Sequence, residues 1–162
     1  MPEEPNSENA QAREQTSLSP EEQALYQKFQ RLRALTFFAA LLMMLFGFSH
    51  TYESLATLFG DSETLTQIFG YNKERVQSAA FVTLGFGIFE ILCAFGTIRL
   101  NYLGWRAGFF VTVGMMLNSF VTSMVMYETV ISLRSAVAVV LTPLILMLLY
   151  KARALFPPPE TT

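Results

Sequence analysis

The chain has 162 residues, enough for one domain, with 52% hydrophobic residues, only 15% charged residues and a formal net charge of -2. Ordinary soluble domains carry about 25% charged residues, and no basic patch with interleaved aromatics is present, so a nucleic-acid partner is not expected. A single Cys and a single His leave no intrachain disulfide and no metal-ligand cluster, and no phosphate loop or nucleophile elbow occurs. No cofactor and no catalytic centre are therefore expected.

Residues 1–18 are polar and acidic, with Glu3, Glu4, Glu8 and Glu14 against Arg13. They hold too little apolar surface to fold and are expected to be a disordered tail. The first apolar stretch begins only at Ala34, behind this tail, so no cleaved signal peptide is expected. Ser19-Pro20-Glu21-Glu22 marks a helix start, with Ser19 as the cap, Pro20 in the first turn and Glu22 closing a capping box. Leu25, Phe29 and Leu32 share one face flanked by Lys28, Arg31 and Arg33. Residues 19–33 thus read as an amphipathic juxtamembrane helix lying at the interface. A solvated extension of the first span is the plainer alternative.

Four long apolar segments follow, at about 34–53, 79–98, 107–127 and 131–150. Each comes close to the roughly 20 helical residues that cross a bilayer core. The fold class expected is all-α, an integral membrane four-helix bundle with up-down-up-down order over residues 34–155, closed by a Pro-rich tail at 156–162. Between the first two segments, Thr64 to Phe69 suggests a short surface helix and Asn72 a cap. In the fourth, Arg134 is expected to snorkel outward. The N-terminal tail, the 99–106 connection and the C-terminal tail hold eight Lys and Arg residues, and the opposite side holds three, Lys73, Arg75 and Arg134. By the positive-inside rule both termini face the cytoplasm. Phe37-Phe38, Met43-Met44-Leu45 and Phe48 recur at an offset of 72 as Phe109-Phe110, Met115-Met116-Leu117 and Phe120. With no counterpart between the second and fourth segments, chance explains this better than duplication.

Glu90 stands out among the apolar residues of the second segment. Counted from Arg99 it lies roughly 13 Å deep at 1.5 Å per residue, where an ionised carboxylate costs at least about 2.5–3.5 kcal/mol. It is expected to face the bundle, hydrogen-bonded and uncharged. Counted from Ala107 and Lys151, Asn118 and Thr142 fall at roughly 16 and 13 Å, so Glu90, Asn118 and Thr142 form a candidate polar layer. Pro143 adds an acceptor by removing the bond to the Val139 carbonyl. This layer reads either as a clasp between helices or as a site for a proton or ligand.

Gly85, Gly87 and Gly96 are expected to let helix backbones pack closely. Cys93 reads as a small packing residue, and the paired methionines as core filler. His50 is expected at the outer interface beside Glu53, as an anchoring ring or, less simply, half of a pH-sensing pair. Two functions follow. One is a non-catalytic accessory or assembly subunit, in contact with the lipid bilayer and with other membrane proteins or itself. The other is a carrier or binder of a lipid, small molecule or proton at the Glu90 layer.

Overall fold

A computed structural model describes residues 19–60, 73–127 and 132–158. Among these, all regular structure is helical: α1 (Pro20–Phe59), α2 (Lys73–Ile98), α3 (Tyr102–Tyr127), α4 (Leu133–Lys151) and one 3₁₀ turn, Arg153–Leu155. All four α-helices contain stretches long and apolar enough to cross a membrane. The acidic tail, the 64–69 segment and Asn72 lie outside the described residues.

The capping box at Ser19 forms as its sequence implies. The Ser19 hydroxyl accepts from the Glu22 amide at 3.3 Å, and the Glu22 carboxylate accepts from the Ser19 amide at 2.8 Å. Those hydrogen bonds, the backbone one foremost, hold the exposed Glu22 carboxyl below its ordinary pKa. From there α1 runs 40 residues, roughly 60 Å at 1.5 Å per residue, without a break where the basic segment meets the apolar one. Residues 20–31 are exposed throughout, so this stretch extends the first apolar helix in line.

Three residues join α2 to α3. Leu100 adopts a positive φ of 55°, and the Asn101 side-chain oxygen accepts from the Leu103 and Gly104 amides, starting α3 at Tyr102. Ser132 caps α4 through a reciprocal pair of bonds with Ser135.

Each helix packs against its neighbour in the chain, and α4 packs back on α1. The packing distributes side chains against the usual rule. Buried positions hold Ala39, Ala40, Ala94 and Ala138 and many Thr and Ser, with Glu90 and Asn118, beside larger residues such as Met43, Met115, Ile145 and Leu149, while Phe37, Phe38, Leu45, Phe81, Leu92, Phe110 and Val140 are exposed. Many polar groups inside and many large apolar groups outside is an arrangement suited to apolar surroundings.

Close approach is built on glycines at two seams. A Cβ at Gly87 would come within 2.6 Å of the Thr51 hydroxyl, and one at Gly104 within 2.6 Å of the Gly96 Cα. Gly85 contributes nothing of this kind: a Cβ there would meet open space. Of the three glycines expected to pack helices, Gly87 and Gly96 do so and Gly85 faces outward.

Candidate functional site

Two apolar clusters set the levels of the bundle. One joins Ala39, Ala40 and Met43 to Cys93, Ala94, Val111, Ile145, Leu148 and Leu149, and the other joins Phe46 to Met115 and Ala138. Glu90 lies in sequence between Cys93 of the first cluster and Phe86, which packs on the second; Thr112 lies between Val111 and Met115; Thr142 lies between Ile145 and Ala138. All three are buried, Glu90 to 0% exposure. They mark a polar level at the seam between the clusters.

Within this level the Thr112 hydroxyl donates to Glu90 Oε1 at 3.4 Å. Glu90 Oε2 and Thr142 Oγ1 are buried and have no hydrogen-bond partner among the described residues. Asn118 does not belong here. Its side-chain NH₂ donates to the Thr83 hydroxyl at 2.8 Å, and Thr83 in turn contacts the Thr122 hydroxyl at 3.3 Å. The reason is the start of α3. Because Asn101 caps the helix, Asn118 stands sixteen residues from Tyr102 rather than eleven from Ala107, roughly 24 Å along its axis. Thr112, ten residues in, takes the place expected for Asn118.

The Asn118–Thr83–Thr122 group begins a zone of buried polar side chains that extends to the end of the bundle away from Arg99. His50 belongs to it. Its exposure is 3% and its ring meets Phe46 edge-on at 4.4 Å, so it packs inside the bundle instead of presenting its ring outward. Nδ1 lies 2.8 Å from the Phe46 carbonyl and Nε2 lies 3.3 Å from the Ser119 hydroxyl. A carbonyl only accepts, so Nδ1 carries a hydrogen, while the Ser119 hydroxyl itself donates to the Met115 carbonyl at 2.9 Å. Ser123 donates to the Ser119 carbonyl and meets the Ser132 hydroxyl at 2.5 Å. Farther out, Arg134 pairs with Glu53 at 2.9 Å, its side chain only 10% exposed. Arg134 thus turns inward to a partner on α1 rather than snorkelling out.

Helical phase was the signal that could have found His50. It continues the buried series Thr36, Ala39, Ala40, Met43, Phe46 and Gly47, which goes on through Ser54 and Thr57. The opposite, basic end is different in kind. There Thr36 and Thr97 donate to the Leu32 and Cys93 carbonyls of their own helices. The one tryptophan, Trp105, donates from Nε1 to the Leu149 carbonyl at 3.0 Å and stacks on Phe156 at 5.4 Å.

Chemically, this arrangement holds helices together through hydroxyl, amide and imidazole groups, and it offers one carboxyl with an open oxygen at mid-length. Among the described residues no three His, Cys, Asp or Glu side chains gather as a metal-binding set. Compared with known protein families, curated proteins and solved structures, the chain matches none of them.

Proposed function

We propose that the chain is a four-span membrane protein with up-down-up-down order and both termini cytoplasmic, working as a non-catalytic accessory or assembly subunit through helix contacts in the bilayer. The observation that carries this reading is the use made of the buried polar groups. The Asn118–Thr83, His50–Ser119, Glu90–Thr112 and Arg134–Glu53 pairs each tie one helix to another. Such bonds, together with small residues at the seams, are what hold helices together in lipid. The outward faces carry large side chains such as Phe81, Ile88, Phe89 and Leu92, suited to lipid or to another helix. The eight-to-three Lys and Arg count supports the orientation. In this reading the basic segment of α1 meets the cytoplasmic headgroups with Leu25, Phe29 and Leu32 toward the apolar boundary.

The test is photo-crosslinking inside the membrane from outward-facing positions on every helix, beginning with Phe38 on α1, Phe89 on α2, Leu117 on α3 and Val140 on α4. An accessory subunit gives a discrete protein adduct from at least one face. Lipid adducts alone from every face of all four helices contradict the proposal.

A second reading, a binder or carrier of a proton or small molecule at the Glu90 level, is favoured by one observation: the open Glu90 Oε2 and Thr142 Oγ1. Glu90→Gln separates the two. Gln keeps the oxygen that accepts from Thr112, so a clasp loses little, and less than the roughly 1–2 kcal/mol expected of Glu90→Leu from interhelical bonds in lipid. Proton coupling is abolished by Gln. Unfolding in bicelles reads the first effect, and proton uptake into vesicles reads the second.

A further inference from the structure

We propose that the groove between α3 and α4 at the basic end is a binding site for a phospholipid with a net negative headgroup. The inference rests on the membrane reading above and assigns a ligand to a surface that reading leaves unused. The groove, about 440 Å³, is lined by α3 from Tyr102 to Val113, with Trp105, Arg106, Phe109 and Phe110 between them, and by Leu146 of α4.

Its chemistry is graded along one direction. Arg106 stands exposed near the start of α3. Phe109, Phe110 and Val113 follow within seven residues, roughly 10 Å along the axis, and everything past Arg106 is apolar. A cation at the rim with an apolar trough beneath it matches a phosphate joined to acyl chains.

The wall is fixed rather than pliable. Trp105 is held by its bond to the Leu149 carbonyl, by stacking on Phe156 and by an edge contact with Phe109 at 5.2 Å. A preformed wall spares a lipid the cost of ordering it.

Charge selects the headgroup. Arg99, Arg106, Lys151 and Arg153 are all exposed at this end, and neither 99–106 nor 151–158 contains an Asp or Glu. Arg153 is already engaged over the Tyr150 ring at 4.4 Å, and of these four cations only Arg106 lines the groove. Basic grooves between membrane helices on the cytoplasmic side are a general means of holding anionic headgroups.

Trp105 supplies the assay, since it is the only tryptophan in the chain. The full-length protein is reconstituted in vesicles containing brominated phosphatidylglycerol diluted in phosphatidylcholine, and in the converse mixture, and quenching is followed against mole fraction. Phosphatidylglycerol should bind about fivefold more strongly than phosphatidylcholine, the worth of one surface cation against an anionic lipid. Arg106→Gln should bring that ratio near one, whereas Arg106→Lys and Arg99→Gln should keep it. Equal quenching by the two lipids in the native protein overturns the proposal. So does an equal loss in Arg106→Gln and Arg99→Gln, which would show a diffuse field instead of a site. Flotation separates the two levels of the argument. A protein that floats with the vesicles but shows no preference refutes the groove alone, and one that stays in the aqueous fraction refutes the membrane reading with it.

Discussion

The two halves of the bundle are held together by different means. Toward the basic end the interior is Ala39, Ala40, Met43, Cys93, Ala94, Val111, Leu148 and Leu149, and the threonines there bond only within their own helices. Contact is set mainly by shape, most tightly where Gly96 meets Gly104, with the Trp105 bond to the Leu149 carbonyl as a polar link between α3 and α4. Toward the far end, Thr83, Asn118, Thr122, His50, Ser119 and the Arg134–Glu53 pair link one helix to the next. In an apolar solvent these are the two available routes to association, since burial of apolar surface drives nothing when the surroundings are equally apolar. One chain uses both, and beyond the level of Glu90 the polar links between helices are added to a glycine seam where Gly87 meets Gly47 and Thr51.

Breaking the shape-held half should cost most. Gly104→Ala places a methyl within 2.6 Å of the Gly96 backbone, and overpacking of this kind costs about 1–3 kcal/mol. Unfolding in bicelles should show that loss, while Gly85→Ala, pointing into open space, should leave stability unchanged. Equal effects at the two glycines would mean that α2 and α3 do not meet at this seam.

The ion pair ranks next. Arg134 is nearly buried and Glu53 is 37% exposed. Arg134→Met should therefore cost about 1–2 kcal/mol, between the ~0.5 kcal/mol of an exposed pair and the ~3 kcal/mol of breaking a buried one. No loss on the same unfolding assay would leave the far end without its link between α1 and α4.

The smallest effect sharpens the comparison best, because one substitution is made in both halves. Thr83→Val strips the acceptor from Asn118 and the contact with Thr122. It should cost about 0.6 kcal/mol, and at most about 1.7, as interhelical bonds in lipid do. Thr97→Val removes only a bond to the Cys93 carbonyl of its own helix and should be neutral. Equal costs would erase the distinction between the halves.

Local signals in the sequence were reliable where the chain satisfies itself. The Ser19 capping box and the four apolar helices are examples, and so is the burial of Glu90. Depth was less legible, because it depends on where a helix starts. Arg106 made 101–106 look like a turn, whereas the Asn101 side chain caps α3 and Arg106 sits exposed within it. That offset of five residues moved Asn118 out of the Glu90 level and hid Thr112. His50 was obscured by its polar neighbours Ser49, Thr51, Tyr52 and Glu53, although its helical phase matched the buried face. The Arg134–Glu53 pair joins α1 to α4 across 81 positions, and no local pattern encodes such a contact.

Four membrane crossings with both ends on one side can be tested directly. In a Cys93→Ser background, Gly60→Cys at the end of α1 and Ala154→Cys beyond α4 are labelled with a membrane-impermeant thiol reagent in sealed cells and in inverted vesicles. The account predicts that Gly60→Cys reacts only in cells and Ala154→Cys only in inverted vesicles. Labelling of both from the same side would contradict it.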